Sequence, residues 1–153
     1  MTSWGADAAV PFPLLTLKGE TEYFASDDKR ADEFLLYVLQ LEKQWRDLYV
    51  VGGYAGEIVT ASRSPLFFDP ERGFARSFIG RAQYTIDPRR EVSAEGIVRQ
   101  NGMGELVELQ YSESFVQHWR ATAGYTVIGG DDSDFIGEYN RNSHAKLILR
   151  YSF

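Results

Sequence analysis

The sequence predicts an all-β fold, an antiparallel up-and-down β-barrel of the transmembrane type. Three observations predict it. Apolar or small residues alternate with polar ones at period two in eight separate segments. Short turns alternate with longer loops between those segments. The longest apolar run, Phe34 to Leu39, falls far short of the roughly 18 residues that a membrane-crossing helix needs. A strand with one lipid-facing side is only half apolar, so the third observation leaves a membrane barrel open.

The segments follow in chain order, apolar side first. Leu15, Leu17, Gly19, Thr21 and Tyr23 alternate with Thr16, Lys18, Glu20 and Glu22. Leu35, Tyr37, Leu39 and Leu41 alternate with Leu36, Val38, Gln40 and Glu42, a less clean polar side. Leu48, Val50, Gly52 and Tyr54 oppose Tyr49, Val51, Gly53, Ala55 and Glu57. Phe78, Gly80, Ala82, Tyr84 and Ile86 oppose Ser77, Ile79, Arg81, Gln83 and Thr85. Val92, Ala94, Gly96 and Val98 oppose Ser93, Glu95, Ile97 and Arg99. Val107, Leu109 and Tyr111 oppose Glu108, Gln110 and Ser112. Trp119, Ala121, Ala123, Tyr125 and Val127 oppose His118, Arg120, Thr122, Gly124 and Thr126. The last segment sets Ala145, Leu147, Leu149, Tyr151 and Phe153 against His144, Lys146, Ile148, Arg150 and Ser152. Asp32 to Arg46, rich in Leu and Glu, is the one stretch with a helical alternative. No repeat beyond the hairpin and no linker divides residues 1–153, so a single barrel domain or barrel fragment is expected.

Counting back from the C-terminus, the turns at Ser114–Gln117, Asp87–Arg90 and Lys43–Arg46 fall at one end of the strands. The loops Gly129–Asn142, Thr60–Ala75 and Ser26–Arg30 fall at the other. Asn101–Gly102–Met103–Gly104 belongs with the long loops by parity alone. Short turns at one end and longer loops at the other is the asymmetry of bacterial outer-membrane barrels.

The chain of 153 residues carries 22 acidic and 16 basic side chains, a formal net charge of −6. That balance argues against a nucleic-acid partner, which calls for a basic face. Nine Tyr, ten Phe and three Trp bring aromatics to 14%, which favours strands. Cysteine is absent, so disulfides and thiolate metal sites are excluded. Residues 1–6, Met-Thr-Ser-Trp-Gly-Ala, have neither the charged start nor the apolar core of a secretory signal. An exported chain of this kind is therefore expected to be a mature protein or part of a longer precursor.

The final ten residues, His144 to Phe153, resemble the C-terminal strand of outer-membrane β-barrel proteins. The terminal residue is aromatic, and Tyr151, Leu149, Leu147 and Ala145 occupy every second position before it. The resemblance implies a porin-like channel, of which this chain would be the C-terminal portion, in the bacterial outer membrane. It implies contact with membrane lipid and lipopolysaccharide, and recognition of Leu147, Leu149, Tyr151 and Phe153 by the barrel-assembly machinery. It is compatible with an oligomer and implies no cofactor. Aromatics near strand ends, at Tyr23, Trp45, Phe78, Tyr84, Tyr111, Trp119, Tyr151 and Phe153, suit two interfacial girdles. Small outward residues (Gly80, Ala82, Ala94, Gly96, Ala121, Ala123) are tolerable against lipid and would fill a soluble core poorly.

On this reading the polar side lines a lumen, through Lys18, Glu20, Glu22, Arg81, Gln83, Glu95, Arg99, Glu108, Arg120, Lys146 and Arg150. The same residues serve two alternatives. A large barrel uses them to line water and select solutes. A closed eight-stranded barrel pairs them in a filled interior and leaves adhesion or surface roles to its loops. A lipocalin-like soluble barrel would instead turn the apolar side inward.

No catalytic or metal residues are assigned. Asp131, Asp132 and Asp134 lack the calcium-loop spacing and its closing Glu, so they read as a solvated acidic loop. Ser143 and His144, neighbours on a strand, point to opposite faces and make a poor hydrolase dyad. Leu66-Phe67-Phe68, between Pro65 and Asp69-Pro70, is an apolar loop tip. It is expected to pack on its own rim, constrict the barrel or touch a neighbour.

Overall fold

A computed structural model describes residues 2–28, 31–62, 74–116 and 118–153. The chain forms one antiparallel sheet of nine strands in sequence order: β1 (Thr2–Pro11), β2 (Thr16–Ala25), β3 (Glu33–Trp45), β4 (Leu48–Ala61), β5 (Ser77–Asp87), β6 (Arg90–Arg99), β7 (Gly104–Phe115), β8 (Trp119–Gly130) and β9 (His144–Tyr151). A short 3-10 helix, Gly137–Asn142, precedes β9. The sheet is open: β1 and β9 are its edges and do not pair with each other.

All eight expected segments are strands, and Asp32–Arg46 resolves as β3 rather than a helix. Its Leu residues gain cross-strand partners instead, as in Leu41↔Leu17 and Leu39↔Tyr54. The described residues add a ninth strand, β1, to the eight expected segments. β1 pairs with β2 over its whole length, Trp4 opposite Tyr23 and Val10 opposite Leu17. The turn placed at Lys43–Arg46 is shorter than expected. Gln44↔Tyr49 and Trp45↔Leu48 still pair, leaving Arg46 and Asp47 to make the reversal, with Arg46 at φ 48°. Ser114 and Phe115 likewise remain in β7, opposite Arg120 and Trp119.

The connections sort as expected. Residues 12–15, 46–47, 88–89, 116 and 118 lie at one end of the sheet. Residues 26–28, 31–32, 62, 74–76, 100–103 and 131–143 lie at the other. The apolar tip Leu66-Phe67-Phe68 falls outside the described residues.

Register carries the alternation across the sheet. Val10, Leu17, Leu41, Gly52, Gly80, Gly96, Val107 and Val127 form one continuous row on one face. This apolar face is the open one: Leu149 is 58% exposed, Tyr125 51% and Tyr84 47%. On the opposite, polar face Ser112 and Thr126 are only 6% and 5% exposed. Among the described residues only Ala75 and Ile136 are buried apolar side chains, and both lie in connections. A soluble barrel hides its greasy side, whereas this sheet leaves its greasy side uncovered along most of its width.

Candidate functional site

The polar face carries the charge, and register fixes which strands share it. Glu42, Val51, Arg81, Glu95, Glu108, Thr126 and His144 form one row across β3 to β9. Lys18, Gln40, Gly53, Ile79, Ile97, Leu106 and Ile128 form the next row toward the loops. A cavity of about 420 Å³ runs along these two rows from Lys18 on β2 to Leu106 on β7.

Three polar networks occupy the face. In the first, the Lys18 ammonium lies 2.8 Å from Glu42, and the Tyr49 hydroxyl donates to the same Glu42 oxygen at 2.8 Å. In the second, Arg81 donates to the Gln83 carbonyl at 3.0 Å, and Gln83 donates to Glu91 at 2.8 Å. Arg120 closes that chain on the other Glu91 oxygen at 3.4 Å, while Glu95 stands 3.8 Å from Arg81. In the third, Lys146 pairs with Glu108, to which the Gln110 amide also donates at 2.7 Å. Lys146 reaches Glu108 by lying across Gly124 on the intervening strand. A Cβ at Gly124 would sit 2.8 Å from Lys146 Cε.

All eleven residues expected to line a lumen therefore lie on one face, but not in one cluster. Glu20 and Glu22 stand with Asp7 at the β1–β2 edge, beside a cavity of about 390 Å³. Arg81, Arg120, Lys146 and Arg150 lie toward β9. Arg99 is set apart at the loop end, where it is buried. Its Nε donates to Asp134 at 3.1 Å, and its guanidinium also donates to the Ala75 carbonyl. Asp134 further accepts from Asn101 Nδ2 at 3.1 Å and from the Ile136 amide at 3.0 Å.

That contact corrects the reading of the 131–142 loop as solvated acid. Asp134 is buried against the rim, and the missing Cβ of Gly104 leaves the space for it and for Ile136. Burial alone would raise the Asp134 carboxyl. The hydrogen bonds from Asn101, Ile136 and Arg99 prevail and hold it below the ordinary carboxylate value. Asp131 is also lowered, by the Ser133 hydroxyl and amide. The three aspartates point to different partners: Asp131 to Ser133, Asp132 to Asn140 and Asp134 to Arg99. Ser143 binds the Ile128 backbone and His144 the Asn142 carbonyl, so neither serves the other.

The expected assembly residues lie on the apolar face. Leu147 is 80% exposed, and Tyr151 packs between Trp119 and Phe153 at ring-centroid distances of 5.0 and 5.8 Å. Alternation missed one feature of the polar face, the apolar row Ile79–Ile97–Leu106–Ile128. Ile79 and Ile97 were visible as exceptions to polarity, Leu106 and Ile128 lay just beyond the expected segments, and only register aligns the four.

Comparison with family models, curated proteins and solved structures gives no match for this chain.

Proposed function

We propose that this chain forms part of the wall of an outer-membrane β-barrel and that its polar face lines a water-filled channel for small solutes. One observation carries the reading: one face of the sheet is apolar and uncovered, and the other gathers the charges. Lipid tails would cover the first, and water and solute would occupy the second.

The distribution of charge on the apolar face supports it. There Glu105 and Glu113 mark the two ends of the apolar stretch of β7, and Glu33 and Lys43 do the same on β3. From Glu105 to Glu113 the strand covers about 27 Å at about 3.4 Å per residue. At a tilt of about 40° that is about 21 Å of membrane, close to the apolar band of such barrels. Aromatics flank the band. Trp4 stacks on Tyr23 and Tyr54 packs at a tilt against Phe78 toward the loops, at 6.0 and 5.2 Å. Trp45, Tyr84, Tyr111 and Trp119 lie toward the turns. Leu147, Leu149, Tyr151 and Phe153, open on an edge strand, suit capture by an assembly machine that adds strands to a sheet edge.

Single-channel recording of the intact protein in a planar bilayer tests the proposal. Stepwise conductance is expected. A protein that inserts fully folded and carries no current would refute the channel.

A further inference from the structure

Arg120 on β8 and Arg150 on β9 are directly opposite each other in register, both on the polar face. Side chains so placed have Cβ atoms about 5 Å apart, and like charges there destabilise a sheet. Both line a cavity of about 240 Å³ that Arg81 also enters from β5. Glu91 is the only carboxylate in the lining, and both its oxygens are engaged, by Gln83 at 2.8 Å and Arg120 at 3.4 Å. Arg150 has neither an ion-pair nor a hydrogen-bond partner among the described residues. Ser93, Gln110, Ser112 and Thr122 complete the wall with hydroxyl and amide groups.

Arg81 has Glu95 at 3.8 Å outside the cavity lining and Arg120 has Glu91, so the Arg150 guanidinium is the uncompensated positive charge of the site. We infer that this cavity is a binding subsite for a small doubly negative solute of the phosphate or dicarboxylate class. A guanidinium presents paired N–H donors that match two oxygens of one anion. The opposed Arg120–Arg150 pair is unfavourable in the empty sheet and becomes favourable once an anion bridges it. Its place on the polar face assigns the ligand to the lumen rather than to a lipid headgroup. The inference rests on the reading of that face as a channel wall.

Two measurements on the intact protein separate the two ideas. Titration calorimetry with inorganic phosphate, in a non-ionic detergent free of lipid phosphate, reads the subsite. Block of chloride current by phosphate, in a phosphatidylcholine bilayer, reads the channel. Arg150→Gln is expected to weaken phosphate binding about tenfold, to leave folding intact because it removes a like-charge contact, and to relieve the block in parallel. Arg150→Lys should recover part of the affinity. Arg141→Gln, a charge removed from the loop, should change nothing. Equal phosphate affinity in the native protein and Arg150→Gln, or no binding by the native protein, overturns the subsite. Phosphate binding without any conductance overturns the channel and leaves the subsite standing. Binding lost equally in Arg141→Gln would reduce the effect to net charge and also overturn the subsite.

Discussion

Removing the Asp134 carboxylate should release the 131–142 loop from the rim. The Asp134 side chain is 1% exposed and that of Arg99 8%, and they meet at 3.1 Å. Asp134→Ala deletes three hydrogen bonds at once, from Arg99, Asn101 and the Ile136 amide. It also takes the Asp134 carboxylate away from the buried Arg99 guanidinium. Truncating one partner of a buried pair costs about 3–5 kcal/mol. The loop can swing out and return Arg99 to water, so the cost is expected as local opening rather than global unfolding. A loss of about 3 kcal/mol speeds exchange through that opening by about two orders of magnitude. Native-state hydrogen exchange is the assay. The amide of Glu138, which donates to the Asp134 carbonyl at 2.8 Å, and that of Ile136 should lose protection, while amides in the middle of β8 keep theirs. Asp134→Asn keeps the acceptor for Ile136 and should fall between the two. A cycle with Arg99→Gln should return a coupling above about 1 kcal/mol. Unchanged loop protection in Asp134→Ala would refute the buried pair as the element that holds the loop.

The same loop should respond to acid. Asp134 is lowered in the fold, so its contribution is complete above the unfolded carboxylate value of about 3.9 and is lost as pH falls through the depressed folded value. Incubation at pH 5 should leave the Ile136 and Glu138 amides protected, and incubation near pH 2 should expose them in an exchange pulse at fixed pH. Asp134→Asn should show no such acid step at this residue. On the polar face, Gly124→Val puts methyl groups where Lys146 crosses β8 and should break its pair with Glu108. The pair is partly exposed, so the expected cost is about 1 kcal/mol or less. Altered ion selectivity with little change in unfolding midpoint is the outcome to look for, and unchanged selectivity would count against it.

Strand identity was legible because period two needs nothing beyond neighbours in sequence. β1 escaped because Ala6, Ala8 and Ala9 carry little strand preference, although Trp4, Ala6, Ala8 and Val10 do alternate with Ser3, Gly5, Asp7 and Ala9. The side on which each charge lies was equally legible, since parity decides it. Which charges meet was not. Lys146 finds Glu108 across an intervening strand, and only the absence of a side chain at Gly124 lets it pass. Asp134 was read as solvated because three carboxylates within four residues look like a polar loop. Its partner Arg99 lies 35 residues away, and its cover depends on Gly104 and Ile136. Contacts of that separation belong to tertiary packing and leave no local periodic trace.

The odd number of strands among the described residues constrains closure of the proposed barrel. Both β1 and β9 run from the loop end to the turn end, so pairing them would make a parallel seam in a sheet whose eight seams are all antiparallel. An antiparallel closure takes an odd number of further strands, whether from the same polypeptide or another copy. Leaving the edges open is not an alternative inside hydrocarbon. Roughly every second residue of β1 turns its N–H and C=O away from β2, and each such group costs several kcal/mol without a partner. Water tolerates that edge and a bilayer does not. Ten strands is therefore the smallest even barrel that can contain this sheet. An interior wider than that of an eight-stranded barrel, which side chains just fill, follows from the same count.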